Sequence, residues 1–152
     1  MRNYIRLKKY NSPFGEINII LEGNKIKKVL LGKFKKNKKI KIRKDSIGKA
    51  LYKYFKEKDE KFLRKIPLLW EGINTFEKKV LEYLRKNVKF SERITYGEIA
   101  KIFNISPRKV GKIMKKNPFP IFIPCHRVIG KKGIGGFSYG INWKIALLDF
   151  EK

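Results

Sequence analysis

The stretch TYGEIAKIFNISPRKVGKIMKK, residues 95–116, decides how the second half of the chain folds. Thr95 and Glu98 stand three residues apart, which is the spacing of a capping box that closes the first turn of a helix. The apolar residues that follow predict that this helix continues to about Phe103. The stretch therefore opens with one short helix whose start is fixed by its own side chains.

A second short helix is predicted over Pro107–Lys116, after a tight turn at residues 104–106. Ser106 can cap this helix, and Pro107 suits its first position, where no backbone N–H is needed. Two helices joined in this way predict a helix-turn-helix, in which the second helix contacts DNA. A helix pair that only builds a core has the same spacing. The second helix carries five cationic side chains: Arg108, Lys109, Lys112, Lys115 and Lys116.

Gly111 weakens the second helix, because glycine lowers helix stability by about 1 kcal/mol relative to alanine. It permits close approach either of a nucleic-acid backbone or of another helix. The sequence leaves both uses open.

The formal net charge is +26, from 39 Lys and Arg against 13 Asp and Glu. Such a surplus favours a polyanionic partner, for which DNA, RNA and an anionic membrane surface qualify. A lysine-rich proteome would also supply many lysines, but its ion-pair networks would need matching acids. No segment has the length and apolarity of a membrane span or a signal peptide. We therefore expect a nucleic-acid partner, no membrane contact and a cytoplasmic location.

Residues 1–70 are predicted to form an N-terminal α/β domain. Residues 15–21 and 25–31 flank a turn containing Gly and Asn and predict a β-hairpin. Residues 45–58 have the apolar spacing of a helix. The basic stretch 33–44 is predicted to be a solvated strand or loop, with a nucleic-acid-binding arm as the alternative.

Residues 71–152 are predicted to form a second, mostly helical domain. It opens with a helix over Thr75–Asn87, whose apolar residues share one face. The fold class expected for the complete chain is therefore α+β.

The only cysteine and the only histidine, Cys125 and His126, are adjacent in IPCHRVIG, residues 123–130. A thiol becomes a strong nucleophile as its thiolate, which a neighbouring base or cation favours. Adjacent side chains of an extended chain point in opposite directions, so a direct Cys–His hydrogen bond is not guaranteed and a bridging water would relieve the geometry. The alternative is a buried structural thiol beside a core histidine. One Cys excludes an internal disulfide and a multi-cysteine metal site, and we expect no metal and no cofactor.

The pentapeptide PCHRV, residues 124–128, stands among three other motifs in a fixed order. TYGEIA at residues 95–100 and a helix ending in Asn-Pro at residues 110–118 precede it, and GFSYG…LLDFE at residues 136–151 follows it. Together these motifs resemble those of the O6-alkylguanine-DNA alkyltransferases, also called methylated-DNA–protein-cysteine methyltransferases.

This resemblance implies a ribonuclease-H-like N-terminal domain and a winged helix-turn-helix C-terminal domain that holds the active site. It implies DNA repair by irreversible, stoichiometric transfer of an alkyl group from O6 of guanine, with O4 of thymine as a further source, to the protein itself. The base would be flipped out of double-stranded DNA that a monomer contacts from the minor groove.

The resemblance also implies a role for each matching residue. Cys125 would accept the alkyl group, His126 would act as general base through a water, and Glu151 would orient the imidazole. Asn117 would connect the second helix to the active site. Tyr96 would donate a proton to the leaving guanine or contact the phosphate that flanks it.

The DNA contacts are implied in the same way. Arg108 would fill the gap left by the flipped nucleotide, and Ser138 would line the pocket near O6. Further DNA contacts are expected from four residues: Thr95, Lys109, Lys112 and Arg127.

Three positions depart from the family pattern. Phe137 lacks the hydroxyl of a frequent tyrosine, Tyr139 stands where glycine is common, and Ala146 stands where an aromatic residue is frequent. They leave the size of the pocket open.

Two other functions are considered. One is a protein that binds alkylated guanine without transfer, and the presence of Cys125 argues against it. The other is a cysteine hydrolase, whose substrate would not explain the net charge.

Overall fold

The computed structural model describes residues 4–37, 40 and 43–152. They group into two compact units, one that ends at Glu71 and one that begins at Gly72. The predicted α+β class is confirmed, because the first unit is built on a sheet and the second is mostly helical. No helix in the described part of the chain is long and apolar enough to cross a membrane.

The first unit contains a three-stranded antiparallel sheet of strands β1 (Ile5–Ser12), β2 (Gly15–Glu22) and β3 (Lys25–Leu31), in the order β1-β2-β3. The predicted hairpin is β2 and β3. Strand β1 was not predicted, because its apolar residues Ile5 and Leu7 are exposed and give no buried alternation. The buried face of the sheet consists of Tyr10, Ile17, Ile19, Leu21, Ile26 and Val29.

Helix α1 (Ser46–Glu57) follows the sheet and agrees with the predicted helix. Asp45 caps it, since the carboxylate accepts a hydrogen bond from the Gly48 N–H at 2.7 Å. Within the basic stretch 33–44, residues 38–39 and 41–42 lie outside the described residues, and the described residues 33–37 belong to no helix or strand. The alternative of a nucleic-acid-binding arm in this stretch remains untested.

The second unit contains the predicted helix pair. Helix α3 (Tyr96–Phe103) begins where Thr95 accepts a hydrogen bond from the Glu98 N–H at 3.0 Å, and the Glu98 carboxylate accepts one from the Thr95 N–H at 3.1 Å. Helix α4 (Pro107–Lys116) begins after Ser106, whose hydroxyl accepts a hydrogen bond from the Lys109 N–H at 3.1 Å. The elements of this unit are α2 (Thr75–Asn87), β4 (Ile94–Thr95), α3 (Tyr96–Phe103), α4 (Pro107–Lys116), β5 (Val128–Ile129) and α5 (Ile141–Phe150).

Helix α4 is strongly amphipathic. Val110, Ile113 and Met114 are buried, whereas all five cationic side chains are exposed. The helix therefore presents a continuous basic surface while its apolar face completes the core.

The short strands β4 and β5 position the active-site segment. They pair in parallel, with Ile94 opposite Val128 and Thr95 opposite Ile129. Strand β5 directly follows a turn of 3-10 helix over Cys125–Arg127, and β4 directly precedes α3. The pairing therefore places the first turn of α3 beside the cysteine.

Ser106→Ala should lower the free energy of unfolding by about 1 kcal/mol, because the first turn of α4 loses its side-chain cap. Chemical denaturation of the complete chain measures this change. Ser106→Asn retains a capping oxygen and should stay within a few tenths of a kcal/mol of the parent. Equal losses in both variants would contradict the capping role.

Candidate active site

A cavity of about 370 Å³ lies in the second unit and has Cys125 in its wall. This volume is at the lower end of the range for small-molecule pockets. The remaining wall is largely apolar and aromatic and includes Tyr96, Met114, Phe137, Ser138 and Tyr139. Flat, apolar surroundings of this kind suit a planar ring such as a nucleobase.

The Cys125 side chain is 4% exposed but reaches this cavity. Burial raises the pKa of the thiol to about 11, although a hydrogen bond from the Asn117 side chain and the charge of Lys144 oppose the rise. The thiol is therefore protonated at neutral pH, and a base must remove its proton before the sulfur can act as a nucleophile.

His126 is fully buried, and only one of its two ring nitrogens has a hydrogen-bond partner among the described residues. Its Nε2 lies 2.8 Å from Oε2 of Glu151, and its Nδ1 has no hydrogen-bond partner among the described residues. Burial lowers the pKa of the imidazole, so the ring is neutral at pH 7. Because an ionised carboxylate only accepts hydrogen bonds, the proton sits on Nε2, and Nδ1 is left as the basic nitrogen.

Glu151 is held by two partners. Besides His126, Arg127 donates from Nε to Oε1 and from Nη2 to Oε2, both at 2.8 Å. Burial alone would raise the pKa of Glu151, but the hydrogen bonds from His126 and Arg127 and the charge of Arg127 outweigh it and hold the pKa well below its ordinary value. The carboxylate is therefore ionised wherever the protein is folded near neutral pH.

The burial of Arg127 does not agree with the predicted DNA contact. Its side chain is 1% exposed, and Nη1 donates to the Val88 carbonyl at 2.8 Å while the other nitrogens hold Glu151. A guanidinium enclosed in this way cannot reach a phosphate. The sequence could not distinguish this residue from the exposed arginines, because its partner lies 24 residues later in the chain.

Asn117 joins the end of α4 to the segment that carries Cys125. Its Nδ2 donates to the Ile123 carbonyl at 3.1 Å, and its Oδ1 accepts from the Phe119 N–H at 3.0 Å. The Tyr139 hydroxyl donates to the backbone carbonyl of Asn117. Tyr139 therefore spans the cavity wall where the family pattern has a glycine.

Tyr96 is the first residue of α3 and lines the cavity, where burial raises the pKa of its hydroxyl. Gly135 has a φ of 76°, and a Cβ at this position would lie 3.0 Å from the Tyr96 ring. Gly135 thus permits the close approach of the loop to Tyr96. Gly135 was not predicted from the sequence, although the Gly135-Gly136 pair was an available signal.

The predicted DNA-contacting residues fall into two groups. Arg108, Lys109 and Lys112 are exposed on α4, and Ser138 is exposed at the cavity wall. Thr95, in contrast, uses its hydroxyl to cap α3.

Gly111 lines the cavity, and a Cβ added there would meet no atom within 4 Å. The alternative that Gly111 permits close packing against another helix is therefore wrong. Close approach of a nucleic-acid backbone stays a prediction.

In the described part of the chain, no three His, Cys, Asp or Glu side chains form a group that could hold a metal ion.

Comparison with protein families gives a match over residues 75–152 to the family described as 6-O-methylguanine DNA methyltransferase, DNA binding domain. The methylated-DNA–protein-cysteine methyltransferase of Metallosphaera sedula is 39% identical over 150 residues, covering 97% of this chain and 93% of that protein. The enzyme of the same name from Thermococcus kodakarensis is 56% identical over 90 residues, and this match spans only 51% of that relative.

Solved structures agree with this match. The O6-methylguanine-DNA methyltransferase of Pyrococcus kodakaraensis has a TM-score of 0.75 at 32% identity, with 97% of this chain and 99% of that chain covered. Mycobacterium tuberculosis OGT in complex with DNA has a TM-score of 0.79 at 27% identity, with 95% and 92% covered.

Because His126 is buried and neutral, we expect the folded protein to become less stable as the pH falls. Its pKa is lowered from the ordinary value of 6.5, so the unfolded chain binds a proton that the folded chain excludes. The contribution of neutral His126 to the free energy of unfolding is fully present above pH 6.5. Below pH 6.5 this free energy falls by at most about 1.4 kcal/mol per pH unit. Denaturant unfolding at pH 7.5 and 5.5 measures this slope.

His126→Gln supplies the control, since it removes the chain's only histidine. Its free energy of unfolding should change much less between the two pH values, even if it is lower at both. A slope as steep as that of the parent would show that another group titrates.

Proposed function

This chain belongs to the 6-O-methylguanine DNA methyltransferase family, and from that membership we propose that it repairs DNA by transferring an alkyl group from O6 of guanine to Cys125. The transfer is irreversible and stoichiometric. Double-stranded DNA carrying O6-alkylguanine is the substrate, and O4-alkylthymine is a further one.

The observation that carries this proposal is the position of the thiol between a cavity and a base. Cys125 lies in the wall of a cavity of about 370 Å³, and the next residue, His126, presents an unprotonated Nδ1. Glu151 binds the imidazole at Nε2, and Arg127 in turn holds Glu151. A structural thiol would need none of these partners.

The reaction follows from these groups. The proton of the Cys125 thiol passes through a water to Nδ1 of His126, because no direct hydrogen bond joins thiol and imidazole in the described part of the chain. The sulfur attacks the alkyl carbon, the bond from this carbon to O6 breaks, and its electron pair stays on the guanine. The Tyr96 hydroxyl donates a proton to the leaving guanine and regains one from solvent, and His126 releases the thiol proton to solvent. The new thioether is a poor leaving group, so each molecule acts once, without metal or cofactor.

The chemistry requires that the guanine leave the duplex, because O6 takes part in base pairing. We assign the extrusion to α4. Arg108 lies exposed near its N-terminus and would fill the gap in the base stack, while Lys109 and Lys112 would contact phosphates. Ser138 would lie near O6, and Thr95 would approach the backbone. We further propose that the protein acts as a monomer in the cytoplasm and binds DNA from the minor groove. The minor groove distinguishes base pairs poorly, so little base sequence would be read.

Incubation with duplex DNA carrying O6-methylguanine should add one methylene group to the mass of the peptide that contains Cys125. Intact-mass and peptide mass spectrometry measure this gain. Cys125→Ser should show no gain yet bind the same duplex with nearly the parent affinity, because phosphate contacts dominate binding.

The alternatives predict other results. An unchanged mass with tight binding would indicate a protein that only recognises alkylated guanine. Turnover of an ester or amide substrate without retained mass would indicate a cysteine hydrolase. Either result would overturn the proposed transfer.

Arg108→Ala should slow transfer from duplex DNA about tenfold or more, because extruding a base costs a few kcal/mol. Transfer from free O6-methylguanine should change little, since nothing has to be extruded. Single-turnover rates with saturating protein measure both reactions.

Lys112→Ala is the matched control on the same helix. It removes a phosphate contact, so its rate on duplex should recover fully once the protein is saturating. Equal slowing of Arg108→Ala on duplex and on free base would exclude the extrusion role.

A further inference from the structure

Lys115 is the cationic side chain in the wall of the cavity that holds Cys125. The other described residues of this wall carry no charge at neutral pH, because the Cys125 thiol is protonated and burial raises the pKa of the Tyr96 and Tyr139 hydroxyls. Lys115 is exposed, whereas Cys125 is 4% exposed. The lysine therefore lies at the opening of the cavity and the thiol at its inner wall.

The geometry of α4 explains why Lys115 faces the cavity. Gly111, Met114 and Lys115 are spaced i, i+3 and i+4, so they share one face of the helix, and all three line the cavity. Gly111 has no side chain, and a Cβ added there would meet no atom within 4 Å. This face of α4 therefore leaves open space next to the Lys115 side chain.

The neighbouring Lys116 is held on another side of α4. Its Nζ donates to Oε2 of Glu77 on α2 at 2.7 Å, and this hydrogen bond helps to hold the pKa of Glu77 below its ordinary value. Lys115 has neither a hydrogen bond nor an ion pair within the described part of the chain. Of these two adjacent lysines, Lys115 is thus the one available to a ligand at the cavity.

An extruded nucleotide consists of a flat base joined through its sugar to charged phosphates. The apolar and aromatic wall suits the base, but a phosphate would lose its hydration there without compensation. The phosphate must therefore stay at the opening, where Lys115 lies. An ammonium group offers three hydrogen-bond donors and a compact charge, which suit a phosphate oxygen.

We propose that Lys115 binds the phosphate of the extruded nucleotide and thereby favours a nucleotide over a base or nucleoside in the cavity. This role rests on the proposed alkyl transfer and names the part of the substrate that the opening of the cavity recognises. It differs from the role of Arg108, which would fill the gap in the base stack.

The test uses substrates too small to contact the rest of α4. Transfer rates are measured with O6-methyl-2′-deoxyguanosine and with its 3′,5′-bisphosphate, and the ratio of the two rates reports on the phosphates alone. The parent should react about fivefold faster with the bisphosphate, since an exposed ion pair contributes about this factor. Lys115→Met should lose most of this preference, and Lys115→Arg should retain it.

Two controls separate charge from packing. Lys86→Met makes the same change at an exposed position of α2 outside the cavity wall, and its ratio should equal that of the parent. Raising the salt concentration from about 0.05 M to about 0.5 M should lower the ratio of the parent, because salt screens exposed charges. The same change should hardly affect the ratio of Lys115→Met.

A parent ratio of one, a parent-like ratio in Lys115→Met or a ratio insensitive to salt would overturn this inference. Equal slowing of both substrates in Lys115→Met would also overturn it, since the lysine would then act through packing. If Lys115→Met does not fold, Lys115→Gln and the salt dependence of the parent decide.

Failure of the proposed function gives a different result. A parent protein that takes no methyl group from duplex DNA or from either small substrate would overturn the proposed transfer. Binding of the same two compounds to Cys125→Ser, followed by NMR titration, needs no transfer. Tighter binding of the bisphosphate that Lys115→Met abolishes in this background would leave the inference standing.

Discussion

The shared carboxylate of Glu151 is the interaction on which the rest of the site depends. It accepts from Arg127 through two bonds and from His126 through one, all at 2.8 Å and almost fully buried. A buried carboxylate is stable only when its charge is matched, and Arg127 supplies the match. Because Arg127 already balances the charge, His126 can remain neutral and keep its Nδ1 available as a base.

Strand pairing and side-chain hydrogen bonds to backbone carbonyls bring the other parts of the site to this centre. The parallel pairing of β4 and β5 sets the start of α3 beside the cysteine turn, and Asn117 ties the end of α4 to the same segment. Lys144 fastens the far wall of the cavity to α5. The basic helix and the thiol are therefore parts of one packed unit, so a base that enters beside α4 meets the sulfur.

Local signals made much of this fold predictable from the sequence. The bounds of α3 and α4 follow from the caps Thr95 and Ser106, whose partners lie three residues away. The candidate residues Cys125, His126 and Glu151 came from motifs. Arg127 was assigned to a DNA contact and Lys144 was not identified, because the partners of both lie far along the chain. Glu151 is 24 residues from Arg127, and Val128 and Gly136 are 16 and 8 residues from Lys144.

The protonation of the single imidazole is the most direct test of this arrangement. Two-dimensional ¹⁵N–¹H NMR of the protein labelled at its one histidine distinguishes the two ring nitrogens. We expect a protonated Nε2 and an unprotonated Nδ1 throughout pH 6.5 to 8. A proton on Nδ1, or a charged imidazolium at pH 7, would contradict the account.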